Sequence, residues 1–228
     1  MLTHHSFLLL TVAASGLLTT ISQAHQMWIE SLTAPDRMVV RFGEFGDTIE
    51  KSPGYLDQLA PVLAWTPAGA PATEATVLGS TKKEDHFLLS AEGGTPAVVL
   101  AQTGFPVMGK ADAPGRLPLF YIRFHAAGPQ TAAVDSHPAM TLDLVPEGNN
   151  SVRVYFRSKP VPAAALTLMT GGKESSLTAD AEGRVALPSC PAGPVLLTTN
   201  QKEDLAGNHL GKAYAVTSHN ASLSWVSR

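Results

Sequence analysis

Apolar and polar residues alternate with a period of two along several stretches of the chain. Val152, Val154 and Phe156 alternate with Arg153, Tyr155 and Arg157, and Phe120, Ile122 and Phe124 alternate with Tyr121, Arg123 and His125. Period two marks strands with one buried face, because successive side chains point to opposite sides. Short apolar runs recur at Met38–Val40, Phe87–Leu89, Ala97–Leu100, Leu166–Met169 and Val195–Leu197. Gly93-Gly94, Gly171-Gly172 and Glu182-Gly183 punctuate them as turns. One helical stretch is expected at Tyr55–Leu63, with Leu56, Leu59, Ala60 and Leu63 on one face, although Pro61 would cut or kink it. Strands at this spacing predict an all-β chain of two β-sandwich-like domains.

The earliest apolar run, Phe7–Leu18, is of another kind. It is too short to cross a bilayer, which takes about 20 apolar residues. Ser22-Gln23-Ala24 behind it presents small residues where a signal peptidase reads, so residues 1–24 are expected to be an export signal cleaved after Ala24. Met1–Ser6 departs from the pattern in having no Lys or Arg. The expectation is a periplasmic protein whose first residue is His25. The connector Leu144–Asn150, with Pro, Gly and tandem Asn, separates an N-terminal β domain (25–145) from a C-terminal one (146–228) of immunoglobulin-like or carboxypeptidase-regulatory-like type.

Composition narrows the function. Of 228 residues, 44% are hydrophobic and 15% charged, unlike a charge-rich disordered chain. Sixteen Lys and Arg against nineteen Asp and Glu leave a formal charge of −3 and no basic stripe, so no nucleic-acid partner is expected. The one cysteine, Cys190, excludes an internal disulfide and a cysteine-rich zinc site. No G-x-S-x-G, P-loop, G-x-G-x-x-G or H-E-x-x-H motif occurs, and the chain is not expected to be an enzyme.

Histidine is what remains. Eight occur, and removal of the signal takes His4 and His5 and leaves six. Imidazole suits copper, nickel and zinc. At a new N-terminus, His25 would offer its α-amine and its imidazole as one chelate, with little chain entropy lost on binding. An α-amine pKa near about 7.7–8.0 lets a metal displace its proton at neutral pH. One more histidine would complete a three-nitrogen site for copper(II) or nickel(II), and Met27 could add a thioether for copper(I). Among the others, His125 falls out of step with the apolar residues of its strand and is expected on the more polar face. His219 shares parity with Ala221, Leu223 and Trp225, so it is expected inward, as a buried ligand or a hydrogen-bonded core residue. His86 follows Glu84-Asp85 at the start of a strand. His137 precedes Pro138 in a loop, and His209 occupies a turn.

Ala24-His25-Gln26-Met27-Trp28-Ile29-Glu30 resembles the A-H-x-x-W-[IL]-E that opens a family of exported, NikM-like bacterial proteins. Further resemblances follow in order: Arg41–Phe45, Leu142–Pro146, Ser158–Ala164, Thr178–Arg184, Gly211–Tyr214 and Ser218–Ser224. They span nearly all of the chain after residue 24. The resemblance implies a β-sandwich second domain, periplasmic residence, and a link to nickel and cobalt uptake, with His25 and His219 as the family-positioned histidines. It does not bring over the nickel site of NikM proteins, which place histidine second rather than first in the mature chain. The expected function is therefore a periplasmic protein that binds copper, nickel or cobalt through His25, His219, His125 and His86. Glu30 is expected to orient an imidazole, and a membrane transporter or TonB-type uptake system is the expected partner. Two alternatives stand beside it: a histidine-brace copper enzyme of oxidative type, and a non-catalytic adhesion or scaffold module. Intact mass of the exported protein is expected to match a chain beginning at His25; any other first residue removes the chelating amine.

Overall fold

The computed structural model describes residues 25–32, 37–67, 75–90, 96–109, 114–131 and 137–228. The expected signal and its cleavage position, and the Gly93-Gly94 turn, lie outside them. The described residues form an all-β, sandwich-like fold. Its strands are β1 (Gln26–Ser31), β2 (Arg37–Gly43), β3 (Leu63–Thr66), β4 (Thr76–Lys82), β5 (Phe87–Ser90), β6 (Val98–Gly104), β7 (Gly115–His125), β8 (Leu142–Gly148), β9 (Ser151–Phe156), β10 (Lys159–Pro160), β11 (Ala165–Thr170), β12 (Lys173–Thr178), β13 (Arg184–Ala186), β14 (Gly193–Glu203), β15 (Gly207–His209) and β16 (Lys212–Ser227). Among the described residues no helix is long and apolar enough to cross a membrane.

One sheet runs in the order β1-β2-β5-β4-β3-β6-β7-β16-β14-β11-β12, with β15 paired to β16. A second holds β10-β9-β13, with β8 on β9. The long sheet serves two cores. Met27, Ile29, Val40, Phe42, Leu89, Val99, Ala101, Phe120 and Ile122 gather in one, contributed by strands from β1 to β7, so this half of the sheet rolls around a common interior. Val98, Leu100, Tyr121, Leu166, Leu197 and Leu223 gather in the other, against Leu142, Leu144, Val152 and Val154 of the second sheet. Strands β6 and β7 therefore send alternate residues into different cores.

This double burial explains why the pattern along β7 is only half informative. Alternation there predicts one wet face, yet Tyr121, Arg123 and His125 are as buried as Phe120, Ile122 and Phe124. His125, expected on a more polar face, is 4% exposed. The cause is the second sheet: Tyr121 packs with Leu142, Leu144, Val152 and Val154, and Arg123 meets Asp143 of β8. Beside β7 in its own sheet runs β16, the last strand, paired in parallel from Tyr214 opposite Gly115 to Ser224 opposite Phe124. The connector expected at Leu144–Asn150 is mostly strand: residues 145 and 146 lie inside β8. Its tandem Asn forms the hairpin turn to β9, with Asn149 and Asn150 at φ 53° and 54°, the left-handed pair such a two-residue turn needs.

The helix expected at Tyr55–Leu63 is reduced to a single 3-10 turn at Tyr55–Gln58. Asp57 closes that turn on itself, its carboxylate accepting from Ser52 Oγ at 2.8 Å and Gly54 N at 3.0 Å and meeting the Lys82 ammonium. Chiefly the bonds from Lys82 and Ser52 hold its pKa at about 2. Leu59 is already extended (φ −67°, ψ 138°), and Pro61 denies a donor to any further turn.

Arg123 and Asp143 form a bidentate pair between β7 and β8, at 2.9 Å (Nε–Oδ1) and 2.7 Å (Nη2–Oδ2), with side chains 1% and 0% exposed. The Ala139 amide donates to the same carboxylate at 2.9 Å. Removing one member of such a pair strands a charge out of water. Arg123→Met is expected to cost about 3–5 kcal/mol in urea denaturation. Adding Asp143→Leu is expected to restore much of that loss; a single-variant cost under about 1 kcal/mol would contradict the assignment.

Candidate functional site

His25 stands immediately before β1. Its imidazole Nε2 lies 2.5 Å from Glu50 Oε1. The ring packs against Phe42 (centroids 5.2 Å apart) and Tyr55 (5.9 Å). Local backbone brings Glu50 to that place. After β2 the chain turns at Phe45-Gly46 and comes back, so Ile49 bridges to Gly43 and the Glu50 amide donates to Phe42 O at 2.8 Å. Gly43 permits the return: at φ 148°, any Cβ would meet Thr48 O at 2.3 Å. With Glu50 ionised, His25 donates Nε2–H to it, which leaves the lone pair on Nδ1, the ring nitrogen nearer the main chain.

The ring borders a cavity of about 390 Å³ between the start of β1 and the open face of β16, β14, β11 and β12. Met27, Phe120, Met169, Thr198 and Asn200 are among its lining residues. β1 is seated by side chains of that face: Ser222 Oγ donates to Met27 O at 2.6 Å and Ser224 Oγ to Ile29 O at 2.7 Å. These carbonyls lie on the edge of β1 away from β2, so the serines satisfy an edge that has no strand partner.

The four histidines singled out in the sequence do not meet. His219 points inward from β16, on the side of Ala221, Leu223 and Trp225, whereas β1 sits on the opposite side with Ser222 and Ser224. The sheet therefore separates His219 from His25. Of its two expected roles, His219 takes that of a hydrogen-bonded core residue. Its Nδ1 accepts from Tyr121 OH at 3.0 Å, and Nε2 faces Glu203 Oε2 at 3.4 Å. Arg157 grips both oxygens of Glu203 at 2.9 and 2.8 Å. Phe156 meets the imidazole edge-on at 5.1 Å, and Tyr121 stacks beside it at 5.8 Å. Burial pushes the His219 pKa down and that of Tyr121 up, while the Arg157 hydrogen bond draws Glu203 down.

His125 shares the His219 side of the sheet but lies six residues along β7 from Leu119, the register partner of His219, roughly 20 Å away at about 3.3 Å per residue. His86 lies just before β5, its Nδ1 2.6 Å from Asp85 Oδ1. Asp85 also accepts from Arg41 at 2.7 Å, and Arg41 donates to Glu30 at 3.1 Å. Glu30, expected to orient an imidazole, is thus engaged by Arg41, and Glu50 holds His25 instead. Among the described residues no three His, Cys, Asp or Glu side chains gather as a metal site. The sequence carried no signal for Glu50, because its approach depends on the return of the chain after Gly43. No protein-family model matches the chain, and no curated protein matches it.

The His219 surroundings make a pH test. Its pKa is lower folded than unfolded, so the unfolded chain binds the extra proton first as pH falls below about 6.5. The neutral imidazole therefore contributes stability above that pH and loses it on acidification. Wild-type denaturation midpoints are expected to fall from pH 7 toward pH 5, with a shallower slope in His219→Gln; equal slopes would contradict it.

Proposed function

We propose that the chain is an exported, periplasmic protein that binds a transition-metal ion—copper, nickel or cobalt—and assists its uptake or delivery. His25 is the metal-binding residue in this reading. Cleavage after Ala24 would turn the His25 nitrogen into a primary amine beside Nδ1, and the two nitrogens close a chelate ring on one ion. The observation that supports it is the bond from His25 Nε2 to Glu50 Oε1 at 2.5 Å. A carboxylate on the far nitrogen fixes the orientation of the ring, the arrangement found behind metal-bound histidines. The ring also borders a cavity an ion can reach.

His219, His125 and His86 have no part in this site; each sits elsewhere, with partners of its own. The resemblance to the NikM-like proteins agrees with a role in metal uptake, with a membrane transporter or TonB-type system as the partner. Binding, and not catalysis, is the activity proposed.

Calorimetry with copper(II) on a chain beginning at His25 tests the reading. One alanine placed before His25 is expected to weaken binding by at least about 100-fold, because the amine leaves the chelate. Glu50→Ala is expected to cost about 10- to 100-fold, and His86→Gln to change nothing. Equal affinity with and without the extra alanine would overturn the proposal.

A further inference from the structure

We infer that copies of this chain associate head to tail: the β15–β16 hairpin of one copy, led by Leu210, docks in the apolar cavity beside Trp28 at the far end of the next. Metal binding at His25 is a separate property and does not enter.

Among the described residues β15 pairs with β16 alone, and β7 joins β16 only from Tyr214 onward. Before Tyr214 the hairpin is a ribbon of two strands, which is marginally stable by itself. Its base is tied. Tyr214 covers Gly207, where an added Cβ would lie 2.5 Å from the tyrosine hydroxyl oxygen, and Lys212 Nζ donates to Val107 O at 2.8 Å. The tip projects as a finger: an added Cβ on Gly211 would meet no described atom within 4 Å.

Leu210 and Gly211, at φ 50° and 80°, are the left-handed pair of a two-residue turn. Asn, Asp and Gly suit the first place of such turns, because the Cβ of other residues crowds the following carbonyl oxygen there. Leu210 is the one large apolar residue among the described non-glycine residues at positive φ. It is also 88% exposed, the most of any large hydrophobic residue described. An exposed leucine is ordinary by itself. A leucine that solvent and backbone both disfavour is accounted for by burial against another surface.

The molecule carries a surface that fits. A cavity of about 390 Å³ is lined by Trp28, Phe45, Ile49 and Val226, a size that takes the side chains of a hairpin tip. The charged residues described on its lining are Glu30 and Asp47. Arg41, which holds Glu30, is shared with Asp85. Lys212, next to the tip, brings the opposite charge; its ammonium has three donors and Val107 takes one. Lys212 and Val226 lie near opposite ends of β16, roughly 45 Å apart along the strand at about 3.3 Å per residue. The finger therefore cannot fill the cavity of its own molecule. A contact between unlike surfaces at opposite ends builds a row of copies.

Sedimentation velocity on the chain beginning at His25 supplies the test. Wild-type mass is expected to rise with concentration. Leu210→Asn, which the turn accommodates, and Val226→Arg, at an exposed position, are each expected to weaken association at least about tenfold. Far-ultraviolet circular dichroism checks that both fold. An equal mixture of the two variants is expected to form dimers and nothing larger, because Leu210→Asn keeps a working cavity and Val226→Arg a working finger. Wild-type mass independent of concentration, association unchanged in either variant, or a mixture that stays monomeric would each overturn the head-to-tail contact. So would monomeric protein that binds phosphatidylglycerol vesicles through Leu210, which assigns the tip to a bilayer instead. None of these results bears on copper binding at His25.

Discussion

The parallel pairing of β7 with β16 is the contact on which the molecule depends. It joins β7, the last strand of the first core, to β16 and makes one sheet of both. Because β7 then has a rolled core on one side and a sandwich core on the other, it has no wet face from Phe120 to His125. Any polar group on it must be satisfied inside the protein, which costs several kcal/mol when it fails. Arg123 meets that requirement with Asp143, and Tyr121 meets part of it with His219. The buried ion pair ties the second sheet, through β8, to the same strand. Two halves that read as separate domains thus share their central element.

Much of the strand content was legible as period-two alternation or short apolar runs. Met38–Val40, Phe87–Leu89, Leu166–Met169 and Val195–Leu197 all fall within strands. What local pattern could not express was which faces would be covered by distant chain. The parity of His219 with Leu223 predicted its inward direction correctly. The parity of His125 against Phe124 predicted a polar face that the second sheet covers. The tandem Asn at 149–150 was legible as a turn, but the strand leading into it ran through the expected boundary. At Tyr55, Asp57 and Pro61 acted against the apolar spacing, and local hydrogen bonding outweighed periodicity.

The candidate site divides in the same way. His25 drew attention through its place just after Ser22-Gln23-Ala24, a purely sequential property. Glu50 was not legible, because it reaches His25 only through the return of the chain after Gly43. Nor was the separation of His25 from His219, which follows from β1 lying on one side of β16 while His219 points to the other. Histidine count alone suggested convergence; the alternation of side chains along one strand prevents it.

The serine hydroxyls that hold β1 come from the far end of the polypeptide, 195 positions later in the chain. β1 is made well before the serines of β16 that support it. Until β16 docks, the outer edge of β1 has bare amides and carbonyls open to pairing with other chains. A nascent molecule thus carries an open edge at β1 through the making of everything between the two strands, and the docking of β16 closes it.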